Sequence, residues 1–424
     1  MRIAVVGLGQ IGLPLAVQYA SRGHEVIGCD VDARVVDSVN RGEPPHPGEA
    51  EVDERLPGLV ASGRLRATTD DRAGVDGAET VVVIVPVAVD GERRIDFAAI
   101  DGATRDVGSG LSAGTLVVFE TTLPVGTTRN RLTPVLAAES GLTLERDLFV
   151  AFSPERVLVG RVLVDLRRYP KVVGGIGPES ARRAVGFYTE VLDAGTEIRT
   201  LASAEAAEMT KLAETTYRDV NIALANEYAR FAAARGIDVM EVIDAANSQP
   251  YSHVHRPGVG VGGHCIPVYP YFLFTDAPEM RLPPAARRVN DEMAAWAVAA
   301  ADEALGGLRG VPVLVLGIAY RGDVREDAFS SAFALRDALR AAGAEVHGHD
   351  PYFGSDELAA RGFAPWRPGD SASIRVVFLQ ADHAAYRDLD LGAIGSLELV
   401  VDGRNALDPD AVRAAGVRYL GIGR

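Results

Sequence analysis

Cys265 is one of two cysteines in the chain and closes the run Gly258-Val259-Gly260-Val261-Gly262-Gly263-His264-Cys265-Ile266-Pro267. Glycines packed this densely let a backbone approach a ligand closely and adopt positive φ. A thiol displayed just past such a loop is a candidate nucleophile; a buried filler beside a turn is the plainer alternative, because free cysteine packs as a small hydrophobe. A nucleophile that adds to a carbonyl needs a cation for the oxyanion, and Lys211 is the candidate. Water needs a base, and Glu155 in Phe152-Ser153-Pro154-Glu155-Arg156 follows a strand end, where α/β proteins place their sites. An ordinary loop acid is the alternative for Glu155.

These groups require a frame. Arg2–Val6 is an apolar strand pattern ending in Gly7-Leu8-Gly9-Gln10-Ile11-Gly12, and a helical pattern follows from Ile11 to Ser21. A second strand, Glu25–Cys29, ends in Asp30. The strand, glycine turn, helix and answering acid form a dinucleotide fingerprint, with pyrophosphate on the helix N-terminus and Asp30 accepting from the ribose. An acid there disfavours a 2′-phosphate, so NAD is expected rather than NADP. The candidate cofactor contacts are Gly7, Gly9, Gln10, Ile11, Gly12, Asp30 and Arg34, with Cys29 in the core. Strands at Thr80–Val85, Thr115–Glu120, Leu148–Phe152 and Lys171–Gly174 continue a doubly wound parallel sheet.

The C-terminal part echoes the opening. Gly23-His24-Glu25-Val26-Ile27-Gly28-Cys29-Asp30 is matched by Gly343-Ala344-Glu345-Val346-His347-Gly348-His349-Asp350, and further strands read at Val311–Leu316, Arg375–Leu379, Leu399–Val401 and Val417–Leu420. Gly317-Ile318-Ala319-Tyr320-Arg321 replaces the glycine fingerprint, so this second Rossmann-like domain either binds a nucleotide differently or only supports the fold. Between them Ser203–Arg235, free of proline and glycine, predicts a helix of roughly 50 Å that joins the domains and offers a face for dimerisation. Lys211, Thr215, Arg218 and Ile222 share one of its faces. The fold class expected is α/β, two Rossmann-like doubly wound domains joined by a long central helix. The divisions are 1–200 for NAD, 201–300 for the helical segment with the cysteine loop, and 301–424 for the second nucleotide.

Composition narrows the function. The chain has 424 residues, 47% hydrophobic and 24% charged, as a soluble multidomain enzyme does. A net charge of −15 argues against nucleic acid as partner. An anionic small molecule then needs local cations, for which Lys211, Arg218, Arg256 and Arg321 are candidates; solvated surface cations are the alternative. Met1-Arg2-Ile3 enters a strand directly, without a signal-peptide pattern. The apolar runs Val81–Val89 and Val311–Ala319 are too short for a bilayer and read as buried parallel strands. Two cysteines make no disulfide framework, so a reducing cytoplasm is expected, with no membrane association and no metal.

An NAD domain, a displayed thiol, a helix-borne lysine and a second nucleotide domain together point to oxidation of a sugar nucleotide. An aldehyde captured by the thiolate gives a thiohemiacetal, hydride transfer gives a thioester, and water releases a carboxylate.

The chain resembles the UDP-sugar 6-dehydrogenases, the family of UDP-glucose, UDP-N-acetylglucosamine and UDP-N-acetylmannosamine dehydrogenases, over nearly its whole length. The motifs that carry this are Gly7–Gly12 with Asp30, Thr121-Thr122-Leu123-Pro124-Val125-Gly126-Thr127, and Ser153-Pro154-Glu155-Arg156-Val157. Lys211-Leu212 with Arg218-Asp219-Val220-Asn221-Ile222-Ala223, Gly260–Pro267 and Asp402-Gly403-Arg404-Asn405 complete the set. The resemblance implies Cys265 as thioester-forming nucleophile, Lys211 as oxyanion partner and Glu155 as base, with Thr122 positioning the water or the nicotinamide. It implies that Gly258, Gly260 and Gly262 line a loop around the sugar diphosphate and that Arg321 contacts its phosphates. Glu155, Arg156, Val157, Lys211, Arg218, Asn221 and Arg256 are the other candidate substrate contacts. A homodimer through the central helix, uridine in the C-terminal domain and a role in polysaccharide biosynthesis are implied in the same way. The motifs around Arg218 and Cys265 look closer to the N-acetylhexosamine branch than to UDP-glucose dehydrogenases.

Three positions depart from the family pattern. Tyr269 stands where an aspartate is usual and Thr215 where an asparagine is usual. Ala328-Phe329-Ser330 replaces an Arg-Glu-Ser cluster, with Arg325 and Glu326 displaced in register. Loss of a carboxylate favours deprotonation of a neighbouring lysine. Two chemical readings therefore stand: full oxidation to the uronic acid with two NAD reduced, or impaired thioester hydrolysis. An NAD-dependent β-hydroxyacid-type dehydrogenase without thiol chemistry and a non-catalytic nucleotide-binding subunit are the alternatives from other classes.

Overall fold

Short apolar runs with β-branched residues form the strands. In the N-terminal part these are β1 (Arg2–Val6), β2 (Glu25–Cys29), β3 (Leu65–Thr68), β4 (Thr80–Val83), β5 (Thr115–Phe119), β6 (Leu148–Phe152), β7 (Lys171–Gly175) and β8 (Ile198–Thr200). They make one eight-stranded sheet in the order β8-β7-β6-β5-β4-β1-β2-β3. Ile3, Val5, Val26, Val82, Val118 and Phe149 are buried within it, as is Cys29. The computed structural model describes residues 1–46, 48–90, 92–275, 277–370, 373–387, 389–394 and 396–424.

Two details differ from the expected sheet. The run Val81–Val89 is not one strand: β4 ends at Val83 before Pro86, and Ala88–Val89 pairs antiparallel with Ile95–Asp96. Proline lacks the donor that a central strand needs. The second difference is β7, which pairs antiparallel with β6 through Ala151↔Gly175 and Phe152↔Gly174. The connection, residues 153–170, carries one helix, Val162–Arg168, and returns the chain antiparallel to β6. The reversal brings Lys171, the first residue of β7, to the C-terminal end of β6.

The second sheet comprises β9 (Pro312–Leu316), β10 (Glu345–His349), β11 (Ala364–Pro365), β12 (Val376–Leu379), β13 (Leu399–Asp402) and β14 (Arg418–Gly421), ordered β11-β10-β9-β12-β13-β14. This repeats the order of β3-β2-β1-β4-β5-β6. The repeat extends to the turns. Gly7 N donates to Cys29 O at 2.8 Å and Gly317 N to His349 O at 2.9 Å, both glycines at positive φ. Asp30 accepts from Leu8 N, and Asp350 from Ile318 N and Ala319 N. Asp350, however, is 3% exposed and carries His383 Nε2 at 3.1 Å. The acid that faces a ribose in a dinucleotide fold is here closed off by protein.

The chain divides into two compact units, Met1–Glu214 with Tyr271–Asp276, and Thr215–Pro270 with Ala277–Arg424. The long helix spans Ala204–Ala233 and contributes to both. Among the described residues no helix is long and apolar enough to cross a membrane.

Candidate active site

The glycine turn after β1 has two kinds of glycine. A Cβ on Gly12 would lie 1.8 Å from Gly7 O, and one on Gly7 2.9 Å from Ile84 O, so closure of the turn requires both. A Cβ on Gly9 would meet nothing within 4 Å among the described residues. That is space in which a cofactor phosphate can lie on the backbone. The helix Gly12–Ser21 has no side-chain cap from the described residues and no acid in its first turn, so its positive end is left for an anion. Gln10 is exposed and Ile11 half-buried at the helix entry. Asp30 is oriented by Leu8 N at 2.8 Å and Asp32 N at 2.9 Å. Arg34 is exposed and pairs with Asp32 at 2.7 Å. These features fit NAD.

The C-terminal ends of β5 and β6 carry a buried charge cluster. Glu155 follows β6, Glu120 follows β5, and Lys171 opens β7. Lys171 Nζ donates to Glu155 Oε2 at 2.8 Å and to Glu120 Oε2 at 3.1 Å. Tyr188 Oη donates to Glu120 Oε1 at 2.5 Å, and Arg156 N to Glu155 Oε1 at 2.7 Å. Burial pushes Glu155 up, but Lys171 and the hydrogen bonds outweigh it, and the carboxyl lies below its ordinary value. Burial pushes Glu120 up to about 7; Lys171 opposes this and the Glu155 charge adds to it. Burial disfavours the Lys171 ammonium, yet the two carboxylates hold its pKa above the usual lysine value. A cavity of about 10 Å³, the size of one water, is lined by Pro154, Glu155, Arg156, Val157, Tyr169 and Lys171.

Lys211, on the long helix, is 8% exposed and donates to the backbone carbonyl of Glu155 at 2.6 Å. Lys211 thus meets Glu155 at its backbone carbonyl. The Arg156 guanidinium is engaged by protein groups: Nη2 pairs with Glu214 at 2.7 Å and Nη1 donates to Pro170 O. Thr122 is buried at 7% in the loop after β5. One helical turn before Lys211, Glu208 receives Gly126 N, Thr128 N and Thr128 Oγ1 at 2.5, 2.8 and 2.7 Å. It fixes the loop that carries Thr122.

In the second unit the glycine loop is seated by protein contacts. Cβ atoms on Gly260, Gly262 and Gly263 would lie 2.6 Å from Ser331, 2.8 Å from Tyr320 and 3.0 Å from the Tyr320 ring. On the side a Cβ would occupy, the close approach at these three positions is to Ser331 and Tyr320. Gly258 N donates to Asn226 Oδ1, Asn226 to Asn290, and Asn290 to Asp219, which also pairs with Arg287 at 2.5 Å. Asn221 holds the preceding strand of loop through His253 O and His255 N. Arg218 is half-buried, close enough to His255 to join burial in lowering its pKa. Arg256 is 64% exposed by its side chain, and Arg321 lies at the surface beside Tyr320 Oη at 3.1 Å. Cys265 is half-buried, and its carbonyl accepts from Tyr269 N at 2.9 Å, so Tyr269 begins the next helix, Tyr269–Phe274.

Arg404 was not singled out as a contact by sequence reasoning. Its guanidinium donates to Gln380 O at 2.5 Å and to Gly260 O and Tyr320 O at 3.4 Å, forms no ion pair among the described residues, and is pushed down in pKa by burial. A half-buried guanidinium whose hydrogen bonds, among the described residues, go to carbonyls retains capacity for an anion.

Residues 1–192 match the NAD binding domain of the UDP-glucose/GDP-mannose dehydrogenase family, residues 205–292 its central domain, and residues 314–409 its UDP binding domain. UDP-N-acetyl-D-mannosamine dehydrogenase of Pyrococcus horikoshii is 35% identical over 432 residues, covering 100% of this chain and 99% of the relative. The chain belongs to the UDP-glucose/GDP-mannose dehydrogenase family. A solved UDP-D-ManNAc dehydrogenase from Pyrococcus horikoshii superposes with a TM-score of 0.90 at 34% identity, over 100% and 99% of the two chains. A UDP-glucose dehydrogenase from Pyrobaculum islandicum gives 0.86 at 28%, over 100% and 97%. As a member of this family the chain is an NAD-dependent UDP-sugar dehydrogenase, an oxidoreductase.

Proposed function

We propose that this enzyme oxidises the C6 hydroxymethyl of UDP-N-acetylmannosamine to the carboxylate, reducing two NAD. The observation that carries the chemistry is the buried Lys211–Glu155–Lys171 arrangement, which keeps a carboxylate ionised next to a second lysine. The choice of sugar is supported by the full-length similarity to the Pyrococcus horikoshii enzyme of that name.

NAD, held by Gly7–Gly12 and Asp30, supplies a hydride acceptor for each of the two oxidations. Cys265 adds through its thiolate to the C6 aldehyde, and Lys211 stabilises the oxygen anion of the thiohemiacetal. After the second oxidation the group on Cys265 is a thioester. Glu155 takes a proton from water, the water oxygen bonds to C6, the C–S bond breaks, and the thiolate is restored. Thr122 positions water or nicotinamide from a loop braced by Glu208. Arg404 and Arg321 receive the diphosphate, Gly258, Gly260 and Gly262 shape the loop beside it, and Arg156, Val157, Arg218, Asn221 and Arg256 complete the substrate contacts.

The domain division 1–200, 201–300 and 301–424 belongs to this reading. So does a homodimer through the long helix: Met209, Tyr217, Leu224, Tyr228 and Phe231 leave an exposed apolar stripe along one face, 39 to 56% exposed. A cytoplasmic site and a place in polysaccharide biosynthesis accord with an NAD requirement and an activated uronic acid product. The test is the NADH yield at completion with UDP-N-acetylmannosamine, UDP-N-acetylglucosamine and UDP-glucose. Two NADH per UDP-N-acetylmannosamine is expected. A yield of one would mean that oxidation stops at the aldehyde, and none with that sugar would overturn the assignment.

A further inference from the structure

The cluster behind Glu155 has more parts than a general base needs. Lys171 holds two carboxylates, Glu155 at 2.8 Å and Glu120 at 3.1 Å, and its Nζ lies 4.8 Å from the Tyr188 ring. Tyr188 comes from the helix Pro178–Val191 and donates to Glu120. Tyr19, from the helix that follows the NAD turn, is fully buried, and burial and then both carboxylates push its hydroxyl pKa up. Lys211 meets Glu155 at its backbone carbonyl. Lys171, Tyr188, Tyr19 and Lys211 are the titratable groups that face the two carboxylates.

We propose that Glu120 is a positioning residue for thioester hydrolysis: by sharing Lys171 with Glu155, it keeps Glu155 basic enough to take the proton of the attacking water. The inference rests on Glu155 as the hydrolytic base. A carboxylate in sole possession of a buried ammonium is a weak base, because the opposite charge favours its ionised form. While ionised, a second carboxylate on the same ammonium adds a repulsive charge and divides the attraction; protonated, Glu120 donates to Glu155 and lowers its pKa. When water bonds to C6 and the C–S bond breaks, the proton arrives on Glu155, and Lys171 is left to Glu120. The ammonium therefore keeps an anionic partner on both sides of the step, which matters where an unpaired buried charge is costly. Two carboxylates coupled in this way titrate as a pair, and burial already pushes Glu120 up to about 7.

The test is Glu120→Gln, which keeps the size and leaves Lys171 to Glu155 alone. We expect kcat to fall about tenfold with the KM for UDP-sugar unchanged, and the acid limb of the kcat profile to move to lower pH. Infrared difference spectra of the wild type should show a protonated buried carboxyl that titrates near 7 and is missing in the variant. Tyr188→Phe removes a donor to the Glu120 carboxylate and should move the acid limb to higher pH, which provides the test if Glu120→Gln does not fold. A Glu120→Gln enzyme with the wild-type pH profile, or one that loses kcat and thermal stability with its acid limb unmoved, overturns the proposal. Glu155→Gln separates the two claims. Wild-type turnover in that variant removes the base itself; an inactive Glu155→Gln beside an unaltered Glu120→Gln removes only the role of Glu120.

Discussion

Glu155→Gln tests the proposed hydrolysis most directly, because the structure predicts that it separates chemistry from folding. Removing one member of a buried ion pair usually costs ~3–5 kcal/mol, since the partner charge is left without compensation. Here Lys171 retains Glu120 at 3.1 Å. Without the Glu155 charge opposing it, Glu120 ionises more readily than at about 7 and takes over the ammonium. The amide oxygen of the introduced glutamine can still accept from Lys171, while the bond from Arg156 N is lost because the other terminal atom is an NH2 donor. The net loss of stability should therefore be only ~1 kcal/mol, near that of a neutral hydrogen-bond change. The chemical loss should be far larger, about 10²–10⁴-fold in kcat, the range for a positioned general base. Because both oxidations precede hydrolysis, stopped-flow should show a burst of two NADH per active site followed by slow turnover. Intact-mass analysis of the quenched enzyme should find the acyl group on Cys265. A kcat within about threefold of the wild type, or slow turnover with neither burst nor adduct, would refute the assignment.

Four further outcomes are expected. Gly9→Ala should leave the melting temperature unchanged and raise the KM for NAD, whereas Gly12→Ala, with its Cβ 1.8 Å from Gly7 O, should destabilise the N-terminal unit; thermal melts and NAD titrations check the pair. Arg404→Met should weaken UDP binding about tenfold or more, an effect typical of a lost charge-assisted contact, as isothermal titration with UDP would measure; unchanged affinity would remove Arg404 from the site. Asp71, pushed by burial and then by neighbouring acids up to about 6, contributes stability in its protonated form that is lost as pH rises from its unfolded value of 3.8 through 6. Asp71→Asn should therefore match the wild type at low pH and exceed it by ~1 kcal/mol above that window, after solvent screening is allowed for. Phe231→Asp, on the exposed stripe, should yield monomers in sedimentation experiments; a persistent dimer would move the interface elsewhere.

The nucleotide turns were legible because their signals are local. Gly7, Gly9, Gly12 and Asp30 lie within one βαβ unit, and the echo at Asp350 was visible as a repeated string. What could not be read was that Asp350 is closed off, because His383 lies on a different strand connection and meets it only in three dimensions. The glycine loop shows the same limit at closer range. Its composition announced close approach, but Tyr320 and Ser331, which occupy the space at Gly260 and Gly262, are separated from it by more than a whole helix of sequence.

The charge cluster was hidden for a topological reason. Glu120 and Lys171 each read as a polar boundary of an apolar strand, Glu at the end of Thr-Leu-Val-Val-Phe and Lys at the start of Val-Val-Gly-Gly. In a wholly parallel sheet those boundaries lie at opposite edges, and the two charges stand a strand length apart, roughly 17 Å for five residues. Reversing β7 places the start of one strand against the ends of the others, and the separation falls to 3.1 Å. The reversal of β7 is therefore as much a part of the site as the carboxylates. A parallel crossover at this point would keep every residue of the motif around Glu155 and remove the lysine that tunes it. The basicity of the carboxylate is thus set by the direction in which a neighbouring strand runs, which residue identity at Glu155 alone does not encode.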